Sequence, residues 1–262
     1  MSDPFKITEP TVISFSGGRT SAYMLWRVLR SNNGLPNEAK VVFANTGKEM
    51  EATLKFVNEC QQRWDVPIAW VEYRTESPKY ATVDFSTASR NGEPFAALIK
   101  IKNYLPNPVT RFCTQELKVK TIDRYLKGIG FEREKDTDWI GIRADEPRRA
   151  AKFPRERTPL VAAGVDAAEV GRFWSSNDFD LELPNYAGKT FHGNCDLCFL
   201  KAKNQIQTLI QEDPSRAEWW ASMENIVGAR FRKDWPFYSE MHNYAISQSD
   251  IFDDPISCFC GD

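Results

Sequence analysis

Three groups of residues in this chain have the types and spacing for chemistry. The first is Ser16-Gly17-Gly18-Arg19-Thr20-Ser21. Two adjacent glycines let a backbone turn tightly and approach a ligand with no Cβ in the way. Amides that lead from such a turn into a helix attract an anion, because the helix dipole is positive there. The hydroxyls of Ser16, Thr20 and Ser21 add hydrogen bonds and Arg19 adds a charge. The expected ligand is a phosphate; the bland alternative is a plain strand-to-helix turn with a serine cap. The spacing is not that of a Walker A loop, GxxxxGK[ST]. Gly188-Lys189-Thr190 is rejected as one, because Leu183 stands where the first glycine belongs and no strand precedes it.

The second group is the cysteines: Cys60, Cys113, Cys195, Cys198, Cys258 and Cys260. Cys195-x-x-Cys198 can chelate zinc or an iron–sulfur cluster between two thiolates, or act as a redox pair. Cys60 sits in a helical pattern and reads as a small buried apolar residue. His192 and His242 are too few for a histidine-based metal site, although His192 is three residues from Cys195. The third group is the run from Arg143 to Arg157. Arg143, Arg148, Arg149, Lys152, Arg155 and Arg157 outnumber Asp145, Glu146 and Glu156 there. Such a loop suits a nucleotide-phosphate clamp, a nucleic acid, or a solvated surface.

The elements that must position these groups follow from periodicity. Residues 11–16 are β-branched and aromatic, and 19–30 place Met24, Leu25, Val28 and Leu29 at helical spacing. A strand from Lys40, a helix over 50–64 and a strand over 67–73 follow, so βαβ units and a parallel sheet are expected. Residues 75–110 carry Pro78, Pro94, Pro106 and Pro108, and read as an irregular excursion with one short helix near 94–102. A helix over 114–127 and a strand over 138–142 come next. From about 166 the pattern is helical, with Trp174, Trp219, Trp220 and Trp235 read as core. The expected division is 1–165, a nucleotide-binding α/β domain, and 166–262, a helical region bearing C-x-x-C and C-x-C.

These motifs, in this order, resemble the phosphoadenosine phosphosulfate reductase family of PP-loop proteins. Ser16–Ser21 is similar to the PP-loop SGGxxS, and Phe43-Ala44-Asn45-Thr46-Gly47 to the family's F-x-D-T-G, with Asn45 where Asp is usual. Arg111-Phe112-Cys113-Thr114 with Lys118, then Gly141-Ile142-Arg143, resemble its R-x-C-C/T-x-x-x-K and G-x-R segments. Pro159-Leu160, Val170, Phe173-Trp174 and Gly193-Asn194-Cys195-Asp196-Leu197-Cys198 resemble its tail. The resemblance implies a Rossmann-like, HUP-type α/β fold with an open parallel sheet. It also implies an adenine nucleotide, ATP or phosphoadenosine phosphosulfate, bound by Ser16, Gly17, Gly18, Arg19, Thr20, Ser21, Asn45, Thr46, Gly47 and Arg143, with Mg2+ as a candidate companion. Lys118, Arg143 and Cys113 are its candidate catalytic residues. A [4Fe–4S] cluster would take Cys113, Cys195 and Cys198, with Cys258 or Cys260 (Cys260 preferred) as fourth ligand or one iron left open. The adjacent Cys-Cys pair of cluster-bearing sulfonucleotide reductases is here Phe112-Cys113.

Three functions compete. One is adenylation-dependent sulfur transfer to an acceptor such as tRNA or DNA, with a sulfur- or electron-donor protein. Another is reduction of an activated sulfate to sulfite. The last is a nucleotide-binding module with structural zinc. The chain has 262 residues, and 34 Lys and Arg against 36 Asp and Glu give a net charge of −2, which disfavours a protein that merely coats nucleic acid. No apolar run approaches 18 residues and the first ten residues lack signal-peptide character. A cytoplasmic enzyme, which could self-associate, is expected.

Overall fold

A computed structural model describes residues 3–134, 138–186, 189–193 and 195–253. Cys258, Cys260, Gly188 and Asn194 lie outside the described residues. The chain divides into two compact units: Met1–Leu98 with Phe112–Cys195, and Ile99–Arg111 with Asp196–Asp262.

The first unit is built on a five-stranded sheet of order β4-β3-β2-β1-β5. Its strands are β1 (Thr11–Ser14), β2 (Ala39–Asn45), β3 (Ile68–Tyr73), β4 (Tyr80–Val83) and β5 (Trp139–Ile140). β5, β1, β2 and β3 run parallel, and β4 pairs antiparallel with β3. The strands read as nearly continuous apolar runs because both faces are covered. Alternate residues sort between the faces, as the two-residue pleat requires. Ile13, Val41, Phe43, Ile68 and Trp70 join one core with Met24, Leu25 and Val28 of α1 (Arg19–Asn32) and Leu54 and Val57 of α2 (Glu51–Arg63). Val12, Val42, Ala44 and Val71 form the other, against Ile122 and Leu126 of α4 (Lys120–Gly128). The open parallel sheet expected from the sequence is therefore present. α1 leaves β1 onto one face, while α4 precedes β5 on the other. The C-terminal ends of β1 and β5 thus flank the point where the winding switches sides, the usual ligand crevice of such sheets.

Four features differ from expectation. The 75–110 excursion contains β4 as well as α3 (Glu93–Lys102). β4 escapes notice because an edge strand with no fully buried residue carries no alternation. The helix over 114–127 begins as a π-helix, Thr114–Val119, before α4. The strand over 138–142 is only two residues long. Lastly, the boundary expected at 165 falls inside the first unit. α7 (Ala167–Ser175) supplies Val170 and Trp174 to the core, where Trp174 meets Phe56, Phe173 and Phe179 edge-on. Aromatic packing, not chain order, draws this segment in.

Short elements complete the first unit: α5 (Pro147–Ala150), a 3-10 turn at Arg155–Arg157, α6 (Pro159–Ala162), and the hairpin of β6 (Asn185–Tyr186) and β7 (Lys189–Thr190). The second unit holds α8 (Lys203–Glu212), α9 (Arg216–Val227) and α10 (Tyr238–Asp253) around Leu209, Trp220, Phe231 and Tyr238. Buried Glu224 accepts from the amides of Phe231 and Tyr238 at 3.1 and 2.7 Å, tying the 228–237 loop to α9. Among the described residues no helix is long and apolar enough to cross a membrane.

Candidate functional site

The turn after β1 assigns different work to its two glycines. Gly17 has φ +74°, and a Cβ there would lie 2.7 Å from Thr53 Cγ2, so only glycine fits. Gly18 caps α1 with ordinary φ, and its Cβ direction is open except for Ser16 Oγ at 3.7 Å. No side chain caps the helix. The first intrahelical bond runs from Ala22 N–H to Gly18 O, which leaves the preceding amides pointing out of the helix end. Ser21 is buried: its hydroxyl donates to Gly18 O at 2.9 Å and accepts from Ser16 N–H at 3.2 Å. It braces the loop from behind, while Ser16 is exposed at the mouth.

β5 delivers Arg143 to this helix end. A Cβ at Gly141 would stand 2.9 Å from Ser21 Cα, so the strand end meets α1 more closely than any other residue would permit. Two residues on, Arg143 Nη1 donates to Thr20 Oγ1 at 3.1 Å, while its Nε donates to Asp145 Oδ1 at 2.8 Å. That hydrogen bond holds the Asp145 carboxyl below its ordinary range against the opposing effect of burial. Ser16, Gly18, Thr20 and Arg143 are thus brought together.

Arg19 is not with them. It is 7% exposed, and its guanidinium donates to Asp180 through Nε (2.7 Å) and Nη2 (2.8 Å), to Thr190 Oγ1 and to the carbonyls of Leu181 and Leu183. The expectation that Arg19 adds charge to a phosphate is corrected: it fastens the 180–190 segment to α1. Asn45, Thr46 and Gly47 are likewise buried struts. Asn45 Nδ2 donates to Glu72 Oε1 at 2.6 Å and to Ser89 O at 2.9 Å, and its Oδ1 accepts from Gly47 N–H. Gly47, at φ +79°, leaves 3.1 Å between a would-be Cβ and Gly92. The side chains of Asn45 and Thr46 are engaged internally, so nucleotide recognition by this loop would fall to its backbone.

A second cluster, unforeseen in one member, lies in the same unit. Glu49 Oε2 accepts from Thr46 N–H at 2.9 Å and from Thr46 Oγ1 at 2.8 Å. Its Oε1 has no hydrogen-bond partner but pairs with Lys118 Nζ at 3.5 Å; the Glu49 side chain is 2% exposed and that of Lys118 34%. The Glu49 backbone also forms an isolated antiparallel bridge with Cys195, whose Sγ is 3.5 Å from Thr46 Oγ1. Burial pulls the Lys118 ammonium down, but Glu49, Cys195 and Cys113 together outweigh it, and its pKa is raised. Two of the expected cysteines, 82 positions apart in the sequence, therefore sit within electrostatic reach of one lysine. Lys118 lies in the π-helix that Cys113 caps; such bulges recur at functional sites. Glu49 was invisible in the sequence because a lone Glu before a helix signals only a helix start.

In the second unit, Trp220 Nε1 donates to Asp196 Oδ1 at 2.8 Å and Tyr238 Oη to Leu197 O at 2.6 Å, so the C-x-x-C interior is anchored beside Cys198. Among the described residues no three His, Cys, Asp or Glu side chains are gathered to hold a metal ion. No chemistry below is routed through a cluster. Cys60 is buried, and burial pushes its thiol far above the ordinary range, as an inert core residue requires.

Residues 10–160 match the phosphoadenosine phosphosulfate reductase domain. The chain belongs to this family. Within the phosphoadenosine phosphosulfate reductase family it is similar to an uncharacterized nin region protein of Escherichia phage lambda, 32% identical over 207 residues, covering 74% of this chain and 67% of that one. An uncharacterized protein of Methanocaldococcus jannaschii is 27% identical over 250 residues, covering 91% of this chain but only 44% of its own length. An uncharacterized 37.8 kDa protein of Escherichia phage 186 is 24% identical over 272 residues, 88% and 80% of the two chains.

Proposed function

We propose that this PP-loop protein binds ATP or a related adenine nucleotide and uses it in adenylation-dependent sulfur chemistry. The observation that carries the reading is the uncapped N-terminus of α1, open on the Gly18 side and faced by Arg143. A phosphate there would replace solvent on the free amides and gain a charge-assisted bond from a guanidinium already oriented by Asp145. As the bond between α- and β-phosphates breaks, negative charge accumulates on the leaving pyrophosphate. Fixed donors at that position lower the barrier without reorganising. The acceptor nucleophile takes the adenylyl group, and a sulfur nucleophile then displaces AMP from the activated atom.

Lys118 is placed to hold negative charge on sulfur near Cys113 and Cys195. The cluster reading, with Cys113, Cys195, Cys198 and Cys260 as ligands, rests on the match of Cys113, Cys195 and Cys198 to the family's cysteine motifs, with Cys260 as the candidate fourth ligand. Reduction of phosphoadenosine phosphosulfate to sulfite is the second reading, favoured by the family itself.

Calorimetry with ATP and with phosphoadenosine phosphosulfate tests the site. Gly18→Val should fold normally, because its side chain meets little protein, and should lose nucleotide affinity at least about tenfold, because the side chain fills the cradle. Unchanged affinity would dismiss the phosphate assignment. Pyrophosphate release with ATP separates sulfur transfer from sulfite release with the sulfonucleotide.

A further inference from the structure

We infer that the exposed segment after β5 is a docking surface for the phosphodiester backbone of a single-stranded nucleic acid, which presents the acceptor to the nucleotide cradle. The inference rests on the proposed nucleotide site and names its second substrate.

Within this segment, charges are sorted by position. The two nearest acids are engaged by Arg143 although Asp145 is itself exposed: Asp145 accepts from Arg143 Nε, and Glu146 Oε2 accepts from Arg143 N–H at 3.2 Å, which leaves Glu156 as the one other exposed acid of the segment. Glu146 Oε1 also takes Arg149. Arg148, Lys152 and Arg155 are exposed, and none has a carboxylate partner among the described residues; Arg155 reaches only the Ala162 carbonyl, at 3.5 Å. They follow one another along α5, the turn after it and the 3-10 turn. An adenine nucleotide already has the helix end and Arg143, so these cations are surplus to it. Three consecutive phosphates would satisfy them. Two of the three are arginines, whose planar fork matches a phosphate better than an ammonium does.

The topology places this surface beside the reaction. β5 runs parallel to β1, so the chain after β5 leaves the same sheet edge as the loop after β1, and Arg143 Nη1 touches Thr20 there. A strand held on Arg148, Lys152 and Arg155 would run past the phosphate end of the cradle. A base stacked within a duplex could not reach that end, whereas an unpaired one could.

Fluorescence anisotropy with a labelled single-stranded oligonucleotide, with its duplex, and with a polyglutamate competitor of equal charge tests this. The full chain should bind the single strand with affinity that falls as salt rises. Arg148→Ala/Lys152→Ala/Arg155→Ala should weaken it at least about tenfold and flatten the log–log salt slope by about 2, three phosphate contacts at about 0.7 each. The triple variant should keep its calorimetric ATP affinity, and Gly18→Val should keep strand binding, so failure of one site is distinguishable from failure of the other. Equal binding by the triple variant, or no binding by the wild type at low salt, would overturn the proposal. So would tighter binding of the duplex. Equal competition by polyglutamate would reassign the surface to an acidic protein partner.

Discussion

Asn45 and Glu72 stand opposite each other on β2 and β3, both 0% exposed, with Asn45 Nδ2 donating to Glu72 Oε1 at 2.6 Å. Ser89 N–H and Oγ and Arg74 Nη1 supply the remaining donors to that carboxylate. The family's usual aspartate at this position would set a second buried carboxylate against the first. Asn45→Asp should therefore cost about 2–4 kcal/mol in urea unfolding at neutral pH. The cost should shrink as pH falls and the introduced carboxyl takes a proton, and Glu72→Gln in the same background should restore stability. A neutral effect at pH 7 would mean that the pair is not as buried as described. The motif at 43–47 was legible as a motif, but its reading as ligand-facing was not safe. The partner that turns Asn45 into a strut lies 27 residues away on another strand.

Between elements, the decisive contact is β5 on α1. Gly141→Ala places a methyl 2.9 Å from Ser21 Cα, a backbone atom of the helix that cannot give way as a side-chain tip would. The expected result is a loss of about 1–3 kcal/mol in stability. Nucleotide affinity should fall with it, because Arg143 is carried away from Thr20. Thermal unfolding and calorimetry on the same samples check both, and intact affinity would show that Arg143 is not needed at the helix end. The G-x-R spacing was visible in the sequence. Its reason, a glycine that admits one backbone against another so that the arginine can arrive, was not.

At the scale of the molecule, the cysteines divide between the units: Cys113 and Cys195 in the first, Cys198 in the second. Anaerobic purification with iron and sulfide analysis tests whether they act as one ligand set. If three protein thiolates hold a cluster, Cys113→Ala, Cys195→Ala and Cys198→Ala should each lose iron and visible absorbance, and Cys258→Ala/Cys260→Ala should keep both. Loss in the double variant identifies a fourth ligand from the C-terminal segment. Colourless wild-type protein containing zinc would replace the cluster altogether, since a filled d shell has no such transitions.

Local chemistry determined much of this protein from its sequence alone. Apolar runs separated by helical periodicity imply a covered parallel sheet, and a Gly-Gly turn entering a helix implies an anion site, because both depend on neighbours a few residues apart. Tertiary structure decided what those residues face. It turned Arg19 away to Asp180, made Asn45 and Thr46 internal struts, put Glu49 between Thr46 and Lys118, and drew α7 into the first unit. Apart from the bond of Thr46 to Glu49 three residues on, these outcomes depend on a side chain tens to more than a hundred positions distant satisfying a buried charge, hydrogen bond or ring, and no local pattern encodes which partner the fold will bring.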